Sequence, residues 1–112
     1  MISFDRLFRI ANRLGQVSAG SAEADHFIHD VLGRAGPVLP YTTETSAAEQ
    51  LLPPGFEWMP SVHSAGKTYA ACCRSGLAAD GLSHPHIGHW GRTVPLAICG
   101  AALRAWALVV RG

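Results

Sequence analysis

The sequence predicts an α+β domain in which helices cover a small antiparallel β-hairpin sheet, and three observations carry that prediction. Apolar residues recur at helical spacing in the N-terminal half. Two alternating stretches, Phe56 to Val62 and Lys67 to Arg74, flank a glycine turn and read as a hairpin. The last stretch, residues 91–112, is apolar on nearly every side, so the rest of the domain or a second copy must cover both its flanks. The expected order is α-α-α-β-β-α. At 112 residues and 48% hydrophobic content, the chain suits one core and is too apolar for wholesale disorder. We therefore expect a single domain over 1–112, with an N-terminal helix and linker over 1–20 and a layered α/β core over 21–112.

The elements follow in order. Phe4, Leu7, Phe8, Ala11 and Leu14 form one helical stripe, with Ser3 placed to cap it and Gly15 to stop it. Arg6, Arg9 and Arg13 take the opposite face, either as a solvated surface or as a basic stripe for an acidic partner. After a small-residue linker, Ser21 caps a second helix that Gly33 ends. Its apolar side is Ala24, Phe27, Ile28, Val31 and Leu32, and Asp25, His26, His29 and Asp30 fall on the wetter side. Gly36, Pro37 and Pro40 make the next segment extended. Thr43 is expected to cap a short helix through Leu52, with Ser46 and Glu49 as a capping box one turn later, before Pro53 and Pro54 end it.

In the first strand Pro60 forces an edge position or a break. In the second, Tyr69, Ala71 and Cys73 share one face, and Thr68, Ala70 and Cys72 the other. Two strands alone make a weak sheet, so either the irregular segments donate a further strand or a second subunit extends the open edge. Residues 75–92 read as a long glycine-rich loop, after which Thr93 caps the final helix with Pro95 in its first turn.

Composition narrows the function classes. A formal net charge of +1 supplies no bulk field for nucleic acid or an anionic membrane. The apolar run from Val94 to Val110 carries Arg104 and falls short of the roughly 20 apolar residues of a membrane span. The N-terminus enters an amphipathic pattern rather than a secretory signal, and three cysteines without framework spacing agree with reduced thiols, so a cytoplasmic location is expected. Charged residues are only 15% of the chain, which favours self-association. Trp106, Leu108, Val109 and Val110 are the natural seam for a homodimer.

Four stretches resemble the phage ABA-sandwich family of small prophage proteins: Ile28–Gly33, Pro40–Thr43, Ala47–Phe56 and Arg92–Ala105. The chain departs from the family pattern by placing Val94 between Thr93 and Pro95, and by having Phe56 where tryptophan is commoner. The resemblance covers about Ser21 to Ala105 and implies a layered helix-sheet domain of phage origin acting in the host cytoplasm. It brings no assigned activity. It implies an accessory protein of a non-catalytic kind, binding or inhibiting a host protein or a small-molecule signal, as in anti-defence systems.

The residues supply one chemical cluster. His84-Pro-His86-Ile-Gly-His89 sets three imidazoles within six residues, a spacing that chelates zinc when the segment is extended, with His63 and Cys72 or Cys73 as candidate fourth ligands. Pro85 and Gly88 equally make it an ordinary turn with solvated histidines. No nucleophile elbow, phosphate-binding glycine loop or paired carboxylates are present, so no enzyme and no cofactor are expected. The expected contact surface is the 75–92 loop with the exposed flank of the last helix. His84, His86, His89, Trp90 and Arg92 are its anchors, since aromatic and arginine side chains dominate binding hot spots. A zinc protein or small metal-dependent hydrolase on His84, His86 and His89, and a structural homodimer, are the alternatives.

Overall fold

A computed structural model of the chain describes residues 3–75 and 86–111. Helix α1 (Phe4–Leu14) is followed by α2 (Ala22–Val31) and the short α3 (Thr45–Glu49). Strands β1 (Phe56–Trp58), β2 (Val62–Ser64), β3 (Lys67–Arg74) and β4 (Ile87–Gly91) lead into α4 (Val94–Arg111). The class is α+β, and the order is α-α-α-β-β-β-β-α rather than the expected α-α-α-β-β-α.

The two additional strands have different origins. The first expected strand is split: β1 pairs β3 from Phe56↔Arg74 to Trp58↔Cys72, and β2 pairs it from Val62↔Tyr69 to Ser64↔Lys67. Between them Met59, Pro60 and Ser61 stand opposite Ala70 and Ala71, a one-residue bulge. Met59 still donates its N–H to the Ala71 carbonyl at 2.9 Å, while Pro60, which has no N–H, sits exposed on the edge. The β2–β3 turn is the pair Ala65–Gly66, with φ of 50° and 76°, the left-handed geometry that suits a two-residue hairpin. Strand β4 comes from the segment read as loop. It lines the other edge of β3, from Thr68↔Gly91 to Cys72↔Ile87. The chain itself thus supplies the further strand that a lone hairpin lacks.

Helix α4 is the centre of the molecule. One flank lies on β3 and β4, and the others meet α1 and α3. Leu96, Ala97, Cys99, Ala101, Ala102, Leu103, Ala105 and Ala107 are all fully buried. Its many alanines let three layers approach one helix closely, which explains an apolar sequence without a polar face. The expected exposed flank of the last helix therefore does not exist before the final turn, where Leu108, Val109 and Val110 reach solvent. Trp106 is half-buried, its indole N–H donating to the Leu51 carbonyl at 2.6 Å. Leu7, Ala11 and Leu14 of α1 belong to the same core as α4, so the N-terminal helix is a layer of the domain rather than an appendage.

The caps behave as their side chains dictate. Ser3 accepts from the Arg6 N–H, Ser21 from the Ala24 N–H at 3.1 Å, and Thr93 from the Leu96 N–H at 3.3 Å. Thr43 does not cap the third helix. It lies in the preceding turn, and α3 begins after Glu44 without a side-chain cap.

Helix α2 buries Ile28, Val31 and Leu32 of its expected apolar side, but its buried face is shifted toward Asp25 and His29. Phe27 is 51% exposed, whereas Asp25 and His29 are buried. The cause is the segment that follows Pro40. The Asp25 carboxylate accepts from both the Thr42 N–H (2.8 Å) and the Thr42 hydroxyl (2.7 Å), and His29 Nδ1 lies 2.9 Å from the Tyr41 hydroxyl. Two satisfied polar side chains outweigh one phenyl ring, because a buried charge without such partners is not tolerated.

Candidate functional site

A cleft of about 480 Å³ opens where the C-terminal end of α1 meets the free edge of β4, lined by Asn12, Gly15, Gln16, Tyr69, Gly88, His89, Trp90 and Arg104. Alternation along β4 distributes these residues. His89 pairs with Ala70 on the face toward α4, and Trp90 pairs with Tyr69 on the outer face. The Tyr69 and Trp90 rings lie 5.1 Å apart, tilted by 52°, and Trp90 is 45% exposed. Gly88 must be glycine, since a β-carbon there would overlap the Tyr69 ring.

Arg104 reaches into the cleft from α4. Its Nη2 donates to Asn12 Oδ1 at 3.0 Å and its Nη1 to the Gly88 carbonyl at 3.4 Å, so one guanidinium ties α1, α4 and the edge of the sheet. It also stands 5.9 Å from the centre of the Phe8 ring. Both hydrogen-bond partners are neutral, and among the described residues no carboxylate pairs with it. Among the described residues its buried Nε has no hydrogen-bond partner, and neither has His89 Nδ1.

His89 is 5% exposed. Its ring occupies the space left by Gly100, where a β-carbon would stand 2.5 Å from Nδ1. Burial first, and the positive charge of Arg104 second, hold its pKa below the ordinary histidine value, against the weaker pull of the Ala11 and Trp90 carbonyls.

The expected anchors separate accordingly. His86 is exposed, with Nε2 3.4 Å from the Tyr69 hydroxyl, on the outer side of the sheet. His89 faces inward, a correction to its reading as a loop anchor: strand alternation and the Gly100 notch place it in the core. His86 and His89 thus stand on opposite faces, and His84 lies outside the described residues. No group of three His, Cys, Asp or Glu side chains gathers among the described residues. Trp90 and Arg92 are exposed as expected, Arg92 in the bend before α4.

The thiols are quiet. Burial pushes Cys72 up to about 12, with its neighbour Cys73 adding to the rise, and burial with the nearby Asp25 charge pushes Cys99 higher still. Cys99 also donates its S–H to the Tyr41 carbonyl at 3.1 Å, which holds it in a packing role. Cys72 and Cys73 point to opposite faces of β3 and are free thiols.

A second concavity, of about 440 Å³, runs between α1 and α2, with Arg9 and Arg13 on its rim and Ile10, Leu14, Val17, Ala24 and Phe27 within it. Sequence reasoning named two of these as parts of a basic stripe. It missed Arg104, Asn12 and Tyr69 at the β4 cleft, although a lone arginine inside an apolar helix is the signal that marks a side chain with somewhere specific to go. Among the described residues no helix is long and apolar enough to cross a membrane. No family model, curated protein or solved structure matches the chain.

Proposed function

We propose that the chain is a non-catalytic binding protein that engages a host component through the outer face of its sheet, with Trp90 as the anchor. The observation that carries this reading is the exposed Trp90 ring, packed against Tyr69 beside a cleft. A tryptophan held at a fixed tilt by a neighbouring ring presents a large apolar area with little conformational freedom left to lose on binding, which is the profile of a hot-spot residue. His86 and Arg92 flank it as polar contacts. The inert setting of Cys72 and Cys99 supports binding rather than nucleophilic chemistry. The resemblance to prophage proteins extends the reading to an accessory protein that occludes or sequesters its target.

The test is native mass spectrometry of the untagged protein recovered from its own host cells, with wild type and Trp90→Ala side by side. The expected result is a defined complex with wild type that is lost with Trp90→Ala, while the variant still unfolds cooperatively, losing no more than about 2 kcal/mol of stability with the Tyr69 contact. A complex that survives Trp90→Ala places the contact elsewhere. Recovery of the chain alone overturns the reading, and a mass of two or more chains puts a homo-oligomer in its place.

A further inference from the structure

We propose that the cleft between the end of α1 and the free edge of β4 is a binding site for a small carboxylate bearing a flat apolar group, with Arg104 holding the charge. The inference rests on reading this region as a binding surface and shares Trp90 with it, but its charge is held by Arg104, which the macromolecular contact does not use.

Arg104 carries a charge that its neighbours do not balance. Arg104 is half-buried, and a guanidinium withdrawn from water loses hydration that only an anion or several good acceptors restore. Its acceptors here are one amide oxygen and one carbonyl at the long distance of 3.4 Å. Neither carries charge. Among the described residues no acidic side chain lines the cleft, so none of them competes for an incoming anion.

The guanidinium is also aimed. Asn12, the Gly88 carbonyl and the Phe8 ring constrain it from three directions, leaving its remaining Nη hydrogens as a fixed fork of the kind that meets a carboxylate through two parallel bonds. Asn12 spends its oxygen on Arg104, which leaves its NH₂ to donate, and Gln16 adds a further neutral donor at the lining. One positive charge with neutral donors matches a monoanion. A phosphate dianion would need a second cation, and among the described residues the lining offers only His89, whose charged form burial and Arg104 disfavour.

Size and walls select the rest of the ligand. A volume of about 480 Å³ falls in the range of small-molecule sites. Tyr69 and Trp90 stand at the same lining and offer aromatic surface to a planar group.

His89 provides an internal reporter. The Arg104 charge depresses its pKa, and the other groups facing its ring are the Ala11 and Trp90 carbonyls and the uncharged Gly100. An anion seated on Arg104 cancels part of that field and must raise the His89 pKa, whereas an arginine serving only as a structural tie predicts no such change.

The experiment titrates the full-length protein with sodium benzoate, acetate and inorganic phosphate at constant ionic strength. It follows the His89 ring and Arg104 Nε–H signals by NMR. The expected result is saturable binding of benzoate, about tenfold tighter than acetate or phosphate, with the His89 titration midpoint moving up. Arg104→Lys should weaken it by about tenfold, because the fork is lost while the charge remains. Shifts that stay linear and are matched by chloride overturn the proposal, and phosphate binding as tight as benzoate overturns the choice of a carboxylate. The wild-type titrations need no variant to fold. Failure of benzoate with an intact Trp90-dependent host complex removes the carboxylate alone, and failure of both removes the surface.

Discussion

At the scale of single residues, the pairing of His89 with Gly100 is the tightest constraint on the site. Glycine inside a helix ordinarily costs about 1 kcal/mol relative to alanine, so Gly100→Ala would stabilise α4 if the position were free. A β-carbon there stands 2.5 Å from both Cγ and Nδ1 of His89, and the ring has Gly15 close on its other side. Steric conflict therefore wins. Gly100→Ala should destabilise the fold by about 1–3 kcal/mol, read as a lowered urea midpoint. A midpoint that rises would mean the imidazole has room to move. The same histidine sets a pH dependence. Its folded pKa lies below the value near 6.5 of the unfolded chain, so in the interval between them the unfolded state binds more protons. Stability is full above about pH 6.5 and falls as the pH drops toward the folded pKa. Urea midpoints measured from about pH 7.5 to 5 should fall more steeply for wild type than for His89→Gln. Parallel curves would assign the acid sensitivity to another group.

At the scale of elements, local capping and period were legible and long-range partnership was not. Ser3, Ser21 and Thr93 cap their helices as their side chains predict, and β3 runs from Lys67 to Arg74 with the expected alternation. Pro60 both marks an edge and breaks the strand, because it falls inside the bulge. Strand β4 escaped notice for a physical reason. Ile87-Gly-His-Trp-Gly91 holds two glycines where a strand pattern wants side chains, yet Gly88 gives way to the Tyr69 ring and Gly91 to the start of α4. Its glycines record close approach rather than flexibility. The rotation of α2 was hidden in the same way, since the partners that satisfy Asp25 and His29 lie on a segment with no period of its own. At the site, the exposure of Trp90 and Arg92 was legible. His89 and Arg104 exchanged importance once a strand and a helix placed them within one cleft.

At the scale of the whole molecule, α4 is the element that every other layer covers, and this predicts how the domain opens. Cys72 and Cys73 lie on the two faces of β3, while Cys99 lies on α4 against the Tyr41 carbonyl, so the three thiols sample the sheet and the central helix separately. All are buried, and at pH 8 a thiol with a pKa of about 12 is ionised in roughly one molecule in ten thousand. Alkylation of the native protein must then wait for an opening that brings the buried thiols into solvent. If the sheet peeled from α4 on its own, Cys72 and Cys73 would label well before Cys99. The packing argues otherwise: Cys72 shares a cluster with Phe56 and Ala105 of α4, and Cys99 sits in the core that α1, α2 and α4 build together. Removing the sheet would expose one flank of a helix that has no polar face, an opening nearly as unfavourable as unfolding. All three cysteines should therefore label at one common rate, with a urea dependence equal to that of global unfolding. Early modification of the Cys72–Cys73 pair, followed by mass spectrometry of labelled peptides, would instead reveal a sheet that detaches as its own unit.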